Sequence, residues 1–288
     1  MSLLASIQKR GLEELRKLNF HRPLSELECH AERLEAAFKA NPPRTINEAI
    51  ERIEQLTGIR RSPTQVRQFL KGLGMKRLKV GQIPAKADPH QQQTFLDEEL
   101  QPRLEEAGQG KRHVFFVDAA HFVLQPFLGF LWCFARVFIQ APSGRQRFNV
   151  LAALHAISLQ VITVTNDSYI TAATVATLLR TLAATFSDLP LTLVLDNARY
   201  QHCRLIIELA AELGIELLFL PPYSPNLNLI ERLWKFVKKE CLYSKYYETF
   251  TDFKKTITDC LVDTQTKHKQ TLTSLLTLNF QTFENATL

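Results

Sequence analysis

Leu217-Leu-Phe-Leu-Pro-Pro-Tyr-Ser-Pro-Asn-Leu-Asn-Leu-Ile-Glu231-Arg-Leu-Trp-Lys-Phe-Val-Lys-Lys239 decides the fold. It reads as a buried strand, a stiff proline turn and a helix. Ser224 is suited to cap that helix, and Pro225 fits its first position, where a missing N–H costs nothing. Leu227, Ile230, Trp234, Val237 and Cys241 follow the 3,4,3,4 spacing of a core-facing stripe. Asn228, Glu231, Lys235 and Lys238 share another, outward face by the same spacing. Read alone, Glu231 is a solvated carboxylate paired with Lys235 at i,i+4. The other carboxylates alter that reading.

Working back along the chain, His113-Val-Phe-Phe-Val-Asp118 and Leu191-Thr-Leu-Val-Leu-Asp196 are apolar strands that each end in an acid. Strands are further expected at Phe130–Ile139, Phe148–Ile157, Gln160–Thr165 and Ile215–Leu220, and helices at Ala172–Phe186, Tyr200–Leu213 and Phe250–Val262. Short connections favour antiparallel pairing and helical crossovers parallel pairing, so the sheet is mixed, with helices on its faces. In open α/β sheets sites lie at the carboxyl ends of strands. An acid there caps the following turn, or it faces a site. Three converging carboxylates repel one another unless cations lie between them. Such an oxygen set suits two Mg²⁺ or Mn²⁺ ions, which keep waters and accept substrate phosphate. Asp118, Asp196 and Glu231 are therefore the candidate catalytic and metal-binding residues. His121, Asn197, Arg199, His202, Asn228, Lys235 and Lys238 are candidates for its surroundings.

The N-terminal third has a different character. Residues 1–22 read as an amphipathic helix and 25–39 as a second, opened by a Ser25-Glu-Leu-Glu28 capping box. Thr45-Ile-Asn-Glu48 opens a third helix, and Ser62-Pro-Thr-Gln65 a fourth that ends at Gly72 or Gly74. Two short helices around Gly58 suggest a helix-turn-helix at about 45–80. Between Ile59 and Ala87 there are eight basic residues and no acidic one. Arg60, Arg61, Thr64, Gln65, Arg67, Gln68, Lys71, Lys76, Arg77 and Lys79 form a candidate DNA-binding set. Met75–Ile83 is a possible small β wing, and Pro84–Gln93 reads as a linker before a helix over about 94–106. The resulting division is a helical region at 1–84, a linker and connecting helix at 85–110, a catalytic domain at 111–265 and a tail at 266–288.

Composition agrees. Net charge is +6 over 288 residues, which favours an anionic partner. The five cysteines are widely spaced, with no C-x-x-C, which argues against a zinc site or disulfide framework and for a reducing, cytoplasmic setting. No secretory leader is legible, and the apolar run His113–Ile139 contains Asp118, Pro126 and Arg136, unlike a membrane span.

Phe116-Val-Asp118-Ala-Ala-His, Leu193-Val-Leu-Asp196-Asn-Ala and Leu220-Pro-Pro-Tyr-Ser-Pro-Asn-Leu-Asn-Leu-Ile-Glu231-Arg-Leu-Trp234 resemble the three catalytic blocks of bacterial insertion-sequence transposases of family 630, related to the mariner elements. The 34 residues between Asp196 and Glu231 match the mariner-like spacing. The resemblance covers about residues 24–262. It implies a ribonuclease H-like catalytic domain preceded by an all-α helix-turn-helix DNA-binding domain. It also implies a DDE triad of Asp118, Asp196 and Glu231, and binding of double-stranded DNA at terminal inverted repeats. Metal-dependent strand cleavage, transfer into target DNA at TA, and a homodimer associated with the bacterial nucleoid follow from it as well. A catalytically silent DNA-binding protein derived from a transposase is the alternative. The family usually carries two tandem helix-turn-helix units. Only one is legible here, so residues 1–40 hold a reduced first unit or the copy is truncated.

Overall fold

The computed structural model describes residues 25–78, 86–128, 133–135, 137–140 and 146–282. The helix expected over 1–22 and most of the expected β wing, with Lys79, lie outside them. The chain divides into two compact units, Met1–Gly81 (with Thr287–Leu288) and Gln82–Ala286.

The first unit contains α1 (Ala31–Ala40), α2 (Ile46–Thr57) and α3 (Pro63–Gly72). Leu34, Phe38, Ala49, Ile50, Ile53 and Val66 form its core. The turn after α2 uses Gly58 at φ +72°, a conformation that costs a glycine nothing. Ser62 and Gln65 make the expected capping box on α3. The other two boxes are not complete. Thr45 Oγ1 accepts from Glu48 N–H, but Glu48 accepts from Arg44 N–H instead of Thr45. Ser25 Oγ accepts from Leu27 N–H in a local turn, and a 3₁₀ turn at Glu28–His30 precedes α1. Met75 to Leu78 form no strand.

In the second unit a continuous helical run begins at Pro89, earlier than expected, because Asp88 caps it and proline is favourable at its first position. The run comprises α4 (Pro89–Thr94), a π-helical turn (Phe95–Leu100) and α5 (Gln101–Gly108). The sheet has strands β1 (His113–Val123), β2 (Arg147–His155), β3 (Val161–Asn166), β4 (Leu191–Leu195) and β5 (Ile215–Phe219), ordered β3-β2-β1-β4-β5. β1–β2 and β2–β3 are antiparallel, whereas β1–β4 and β4–β5 are parallel. The helices are α6 (Ala172–Thr185), α7 (Arg204–Glu212), α8 (Ile230–Leu242), α9 (Phe250–Val262) and α10 (Lys269–Leu275).

Two expectations fail in an instructive way. The strand expected at Phe130–Ile139 is not formed by its described residues 133–135 and 137–139. β1 already has β2 on one edge and β4 on the other, so no edge of it remains to pair with that segment. β1 also does not end at Asp118. Its pairing with β2 continues to Val123↔Arg147, while its pairing with β4 stops at Phe116↔Val194.

Alternation along the strands gives the sheet two apolar faces. Val114, Phe116, Ala120, Phe122 and Val194 pack with α5, α8 and α9. Phe115, Val117, Leu193 and Leu195 pack with α6 and α7. Leu272 and Leu276 join the first cluster, so α10, in the segment read as a tail, is part of this core. At the start of β4 and β5, Glu216 accepts from Arg103, Arg112 and Thr192, which fixes α5 against the sheet. Those donors hold the Glu216 carboxyl below its usual range, Arg103 above all.

Candidate functional site

The β1–β4 register places the first two acids. Phe116 pairs with Val194. Two residues further along each parallel strand stand Asp118 and Asp196. Each step of two returns a side chain to the same face, here the face covered by α8. Glu231 lies in the first turn of α8. All three acids line one cavity of about 400 Å³ together with Asn197, Asn228 and the Leu220–Pro225 turn.

Each acid is held differently. Asp118 Oδ2 accepts from Trp234 Nε1–H at 2.9 Å. Burial pushes its carboxyl up to about 7, helped by the negative charges of Glu231 and Asp196, whereas the Ala119 N–H and Trp234 pull it down. Asp196 Oδ1 accepts from Ala198 N–H at 3.0 Å, the turn-capping contact that a strand-end Asp commonly makes. Asn197 Nδ2 donates to Leu220 O at 2.6 Å and so ties the loop after β4 to the end of β5. Glu231 and Lys235 form no ion pair among the described residues, and the Glu231 carboxylate has no cation to neutralise it there. Tyr200 stands near: its phenol is pushed up to about 12, first by burial and then by the charges of Asp196 and Asp118.

The proline turn departs from the simple helix start read in the sequence. Pro225 opens a 3₁₀ turn, Pro225–Leu227, and Asn228 is extended at φ −95°, ψ 107°, so α8 begins only at Ile230. Ser224 Oγ donates to Pro222 O and caps nothing. Asn228 is consequently not on an outward face. It is 4% exposed, its Nδ2 donates to Val117 O at 3.3 Å, and its Oδ1 is buried in the cavity wall without a hydrogen-bond partner.

Of the surrounding candidates, Asn197 and Asn228 line the cavity, and the others do not. His121 is exposed and meets Asn149 Oδ1 at 2.6 Å. His202 packs edge-on against Phe219 at 4.4 Å between centroids. Arg199 and Lys235 are exposed, and Lys238 is half-buried. Sequence reasoning missed Trp234 and Tyr200. Trp234 is also a core residue, 2% exposed, and the apolar spacing concealed its polar role.

The donors suit hard divalent cations, since every polar atom the acids offer is oxygen. Among the described residues, no three His, Cys, Asp or Glu side chains cluster closely enough to enclose an ion as they stand. The acids line the cavity wall without closing on its centre. Mg²⁺ and Mn²⁺ need no closed cage, because they bind through one or two carboxylates and complete their shells with water and substrate phosphate. Asn228, whose Oδ1 is buried without a hydrogen-bond partner, is a further oxygen-bearing side chain in the lining of that space.

In the N-terminal unit, Thr64, Gln65, Arg67, Gln68 and Lys71 of α3 are exposed, as are Lys76 and Arg77. Gln65 Oε1 is occupied by Ser62 N–H in the capping box. Arg60 pairs with Glu54 and Arg61 with Glu26. No helix among the described residues is long and apolar enough to cross a membrane.

Residues 113–254 match the family model described as DDE superfamily endonuclease. No curated protein matches the chain. Among solved structures the chain is similar to a Mos1 transposase paired-end complex with left transposon end. The identity is 13% and the TM-score 0.58, over 87% of this chain and 80% of that one. The mariner Mos1 paired-end complexes with Mg (13%, TM-score 0.57) and with Mn (12%, TM-score 0.56) have the same coverages. At these identities the likeness is one of fold. The mixed five-stranded sheet flanked by helices thus matches the ribonuclease H-like fold of transposase catalytic domains.

Proposed function

We propose that this chain is a DNA transposase of the insertion-sequence family 630 type, with Asp118, Asp196 and Glu231 as its catalytic and metal-binding triad. The observation that carries the reading is that three acids from β1, the end of β4 and the first turn of α8 line one cavity. The residues at 45–80 bind terminal inverted repeats, with Arg67, Gln68 and Lys71 of α3 meeting DNA. A homodimer pairs two ends, and insertion occurs at TA. The Mos1 structures are of transposase complexes with a transposon end, with Mg or with Mn, and support this assignment by fold.

Asp118, Asp196 and Glu231 would hold two Mg²⁺ or Mn²⁺ ions. When bound, these supply Lewis-acid stabilisation of the phosphoryl oxygens and acidify a coordinated water. The chain's own residues arrange the rest. Trp234 keeps Asp118 aimed into the cavity, the Ala198 N–H fixes Asp196, and Asn228 links the backbone next to Asp118 to the start of α8. Water oxygen forms the new bond to phosphorus as the bond to the 3′-oxygen breaks; the freed 3′-hydroxyl later forms a bond to a target phosphorus as that phosphorus loses its bond to the target strand's own 3′-oxygen, which leaves as a hydroxyl. No side chain becomes covalently attached.

The test is cleavage of duplexes carrying the sequences that flank the gene, with Mg²⁺, Mn²⁺ or chelator, by wild type and Glu231→Gln. Metal-dependent nicks at the repeat ends, lost in the variant, are expected. Tight binding without cleavage under any metal would replace the reading with that of a silent DNA-binding protein.

A further inference from the structure

Tyr223 stands at the lip of the acidic cavity in a conformation that a tyrosine rarely adopts. Its φ is +59°, in the left-handed region, where Cβ crowds the backbone and a bulky residue is an outlier. Glycine takes this conformation freely and asparagine at small cost. The turn around it is over-determined. Pro221, Pro222 and Pro225 fix their own φ angles, Ser224 Oγ closes the turn on Pro222 O, and Asn197 holds Leu220. The strain is therefore borne in order to present one particular side chain. That side chain is not packed into the core: it is 52% exposed, and it lines the cavity with Asp118, Asp196 and Glu231. Lys86 Nζ lies 5.9 Å from the ring centroid.

A rigidly mounted ring that is half exposed, with the Lys86 cation over one face, has on its other face the chemistry of a base-stacking platform. The cavity of about 400 Å³ is small for a duplex and suited to a single nucleotide. A phosphate brought among the three acids can place only a neighbouring base, unstacked from its helix, over the lip. We infer that Tyr223 is a positioning residue for strand cleavage: its ring stacks on the nucleobase next to the scissile phosphate, while Lys86 meets the adjoining backbone. The inference rests on the proposed function and adds the contact by which the DNA strand is set in register. Stacking of this kind tolerates any base, because every base has a π face.

The experiment measures metal-dependent cleavage of a flanking-sequence duplex and of duplexes with single abasic sites at each nucleotide beside the scissile phosphate. The proteins are wild type, Tyr223→Phe, Tyr223→Gly and Tyr223→Asn. The glycine and asparagine variants preserve the left-handed backbone and remove the ring. They are expected to lose about 5- to 150-fold in kcat/KM on intact DNA, the factor that corresponds to one stacked base. Phenylalanine should retain wild-type rates. One abasic position should cost wild type a similar factor and cost Tyr223→Gly nothing further. Melting temperatures within a few degrees of wild type would exclude misfolding, and Tyr223→Asn provides a second ring-free protein should glycine loosen the turn. Cleavage by both ring-free variants at the wild-type rate, or abasic and ring-deletion losses that simply multiply, would overturn the inference alone. A wild type that cleaves no substrate would overturn the proposed function and this inference with it.

Discussion

Trp234 shows how one side chain serves the core and the site at once. Its indole is buried against Phe122, and its N–H is given to Asp118. Phenylalanine keeps most of the packing and removes the donor. A hydrogen bond to a charged group is worth about 1.5–3 kcal/mol, so Trp234→Phe should slow cleavage by roughly 10- to 150-fold. The melting temperature should fall little by comparison, and a rate measurement beside a thermal melt checks both. An unchanged rate would mean that Asp118 needs no such orientation. Asn228 makes the opposite case, a polar residue whose burial the helical spacing could not announce, because the residue is extended and lies outside the helix. Asn228→Ala removes the hydrogen bond to Val117 O and should cost about 0.5–1.5 kcal/mol in denaturant unfolding. It also removes the unpaired Oδ1, so Mn²⁺ titration by calorimetry should show weaker binding if that oxygen faces the ion, and unchanged binding otherwise.

Among the elements, the end of the sheet where β1 begins and β2 turns into β3 carries a polar chain that titrates. His155 Nδ1 accepts the N–H groups of Ile157 and Ser158, its Nε2 meets His113 Nδ1, and His113 Nε2 meets Asp188. Two backbone donors on Nδ1 require the His155 proton on Nε2, so a protonated ring has no place for its second proton. Burial, with His113 adding to it, lowers His155 to about 4 from the ordinary histidine value of 6.5. Between these values the unfolded chain binds the extra proton and the folded chain does not, so stability rises with pH from about 4 to 6.5. The gain is at most about 3 kcal/mol. His155→Gln should flatten that slope in melts over this range, and an unaltered slope would assign it to other groups. The elements were largely legible from their apolar periodicity. Phe250–Val262 matches the expected helix, Asp118 and Asp196 were legible as candidates because each closes a strand-like, mainly apolar run, and Glu231 because it stands off the apolar stripe of its helix. The exact level of Asp118 against Asp196 depends on strand register, which a single strand's spacing does not contain. The described residues of Phe130–Ile139 form no strand although apolar, β-branched and aromatic composition marks a segment fit for a sheet, because composition does not say whether the edge of β1 is free. The tail escaped assignment because Leu272 and Leu276 are spaced too sparsely for a periodic signal, although both are buried.

At the scale of the molecule, the segment 263–282 completes the core of the Gln82–Ala286 unit and is no appendage. Leu272→Ala, at a fully buried position, should lower unfolding free energy by about 2–5 kcal/mol. A loss below 0.5 kcal/mol would show the segment to be peripheral. In the Met1–Gly81 unit the exposed bases of α3 carry a separate expectation. Arg67→Ala and Lys71→Ala should each weaken binding on every DNA sequence and reduce the slope of log K against log salt by about 0.9. Sequence-selective losses would point to base contacts instead. The three acids are proposed to act as one unit, and the most direct measurement is the cleavage rate in Mn²⁺ of Asp118→Asn, Asp196→Asn, Glu231→Gln and the double variant Asp196→Asn/Glu231→Gln. Groups that act together are strongly non-additive. Each single variant should lose on the order of 10³-fold or more, with the double variant no worse than the singles and with DNA binding retained. A single variant within about tenfold of wild type, or a double loss equal to the product of the single losses, would contradict the triad.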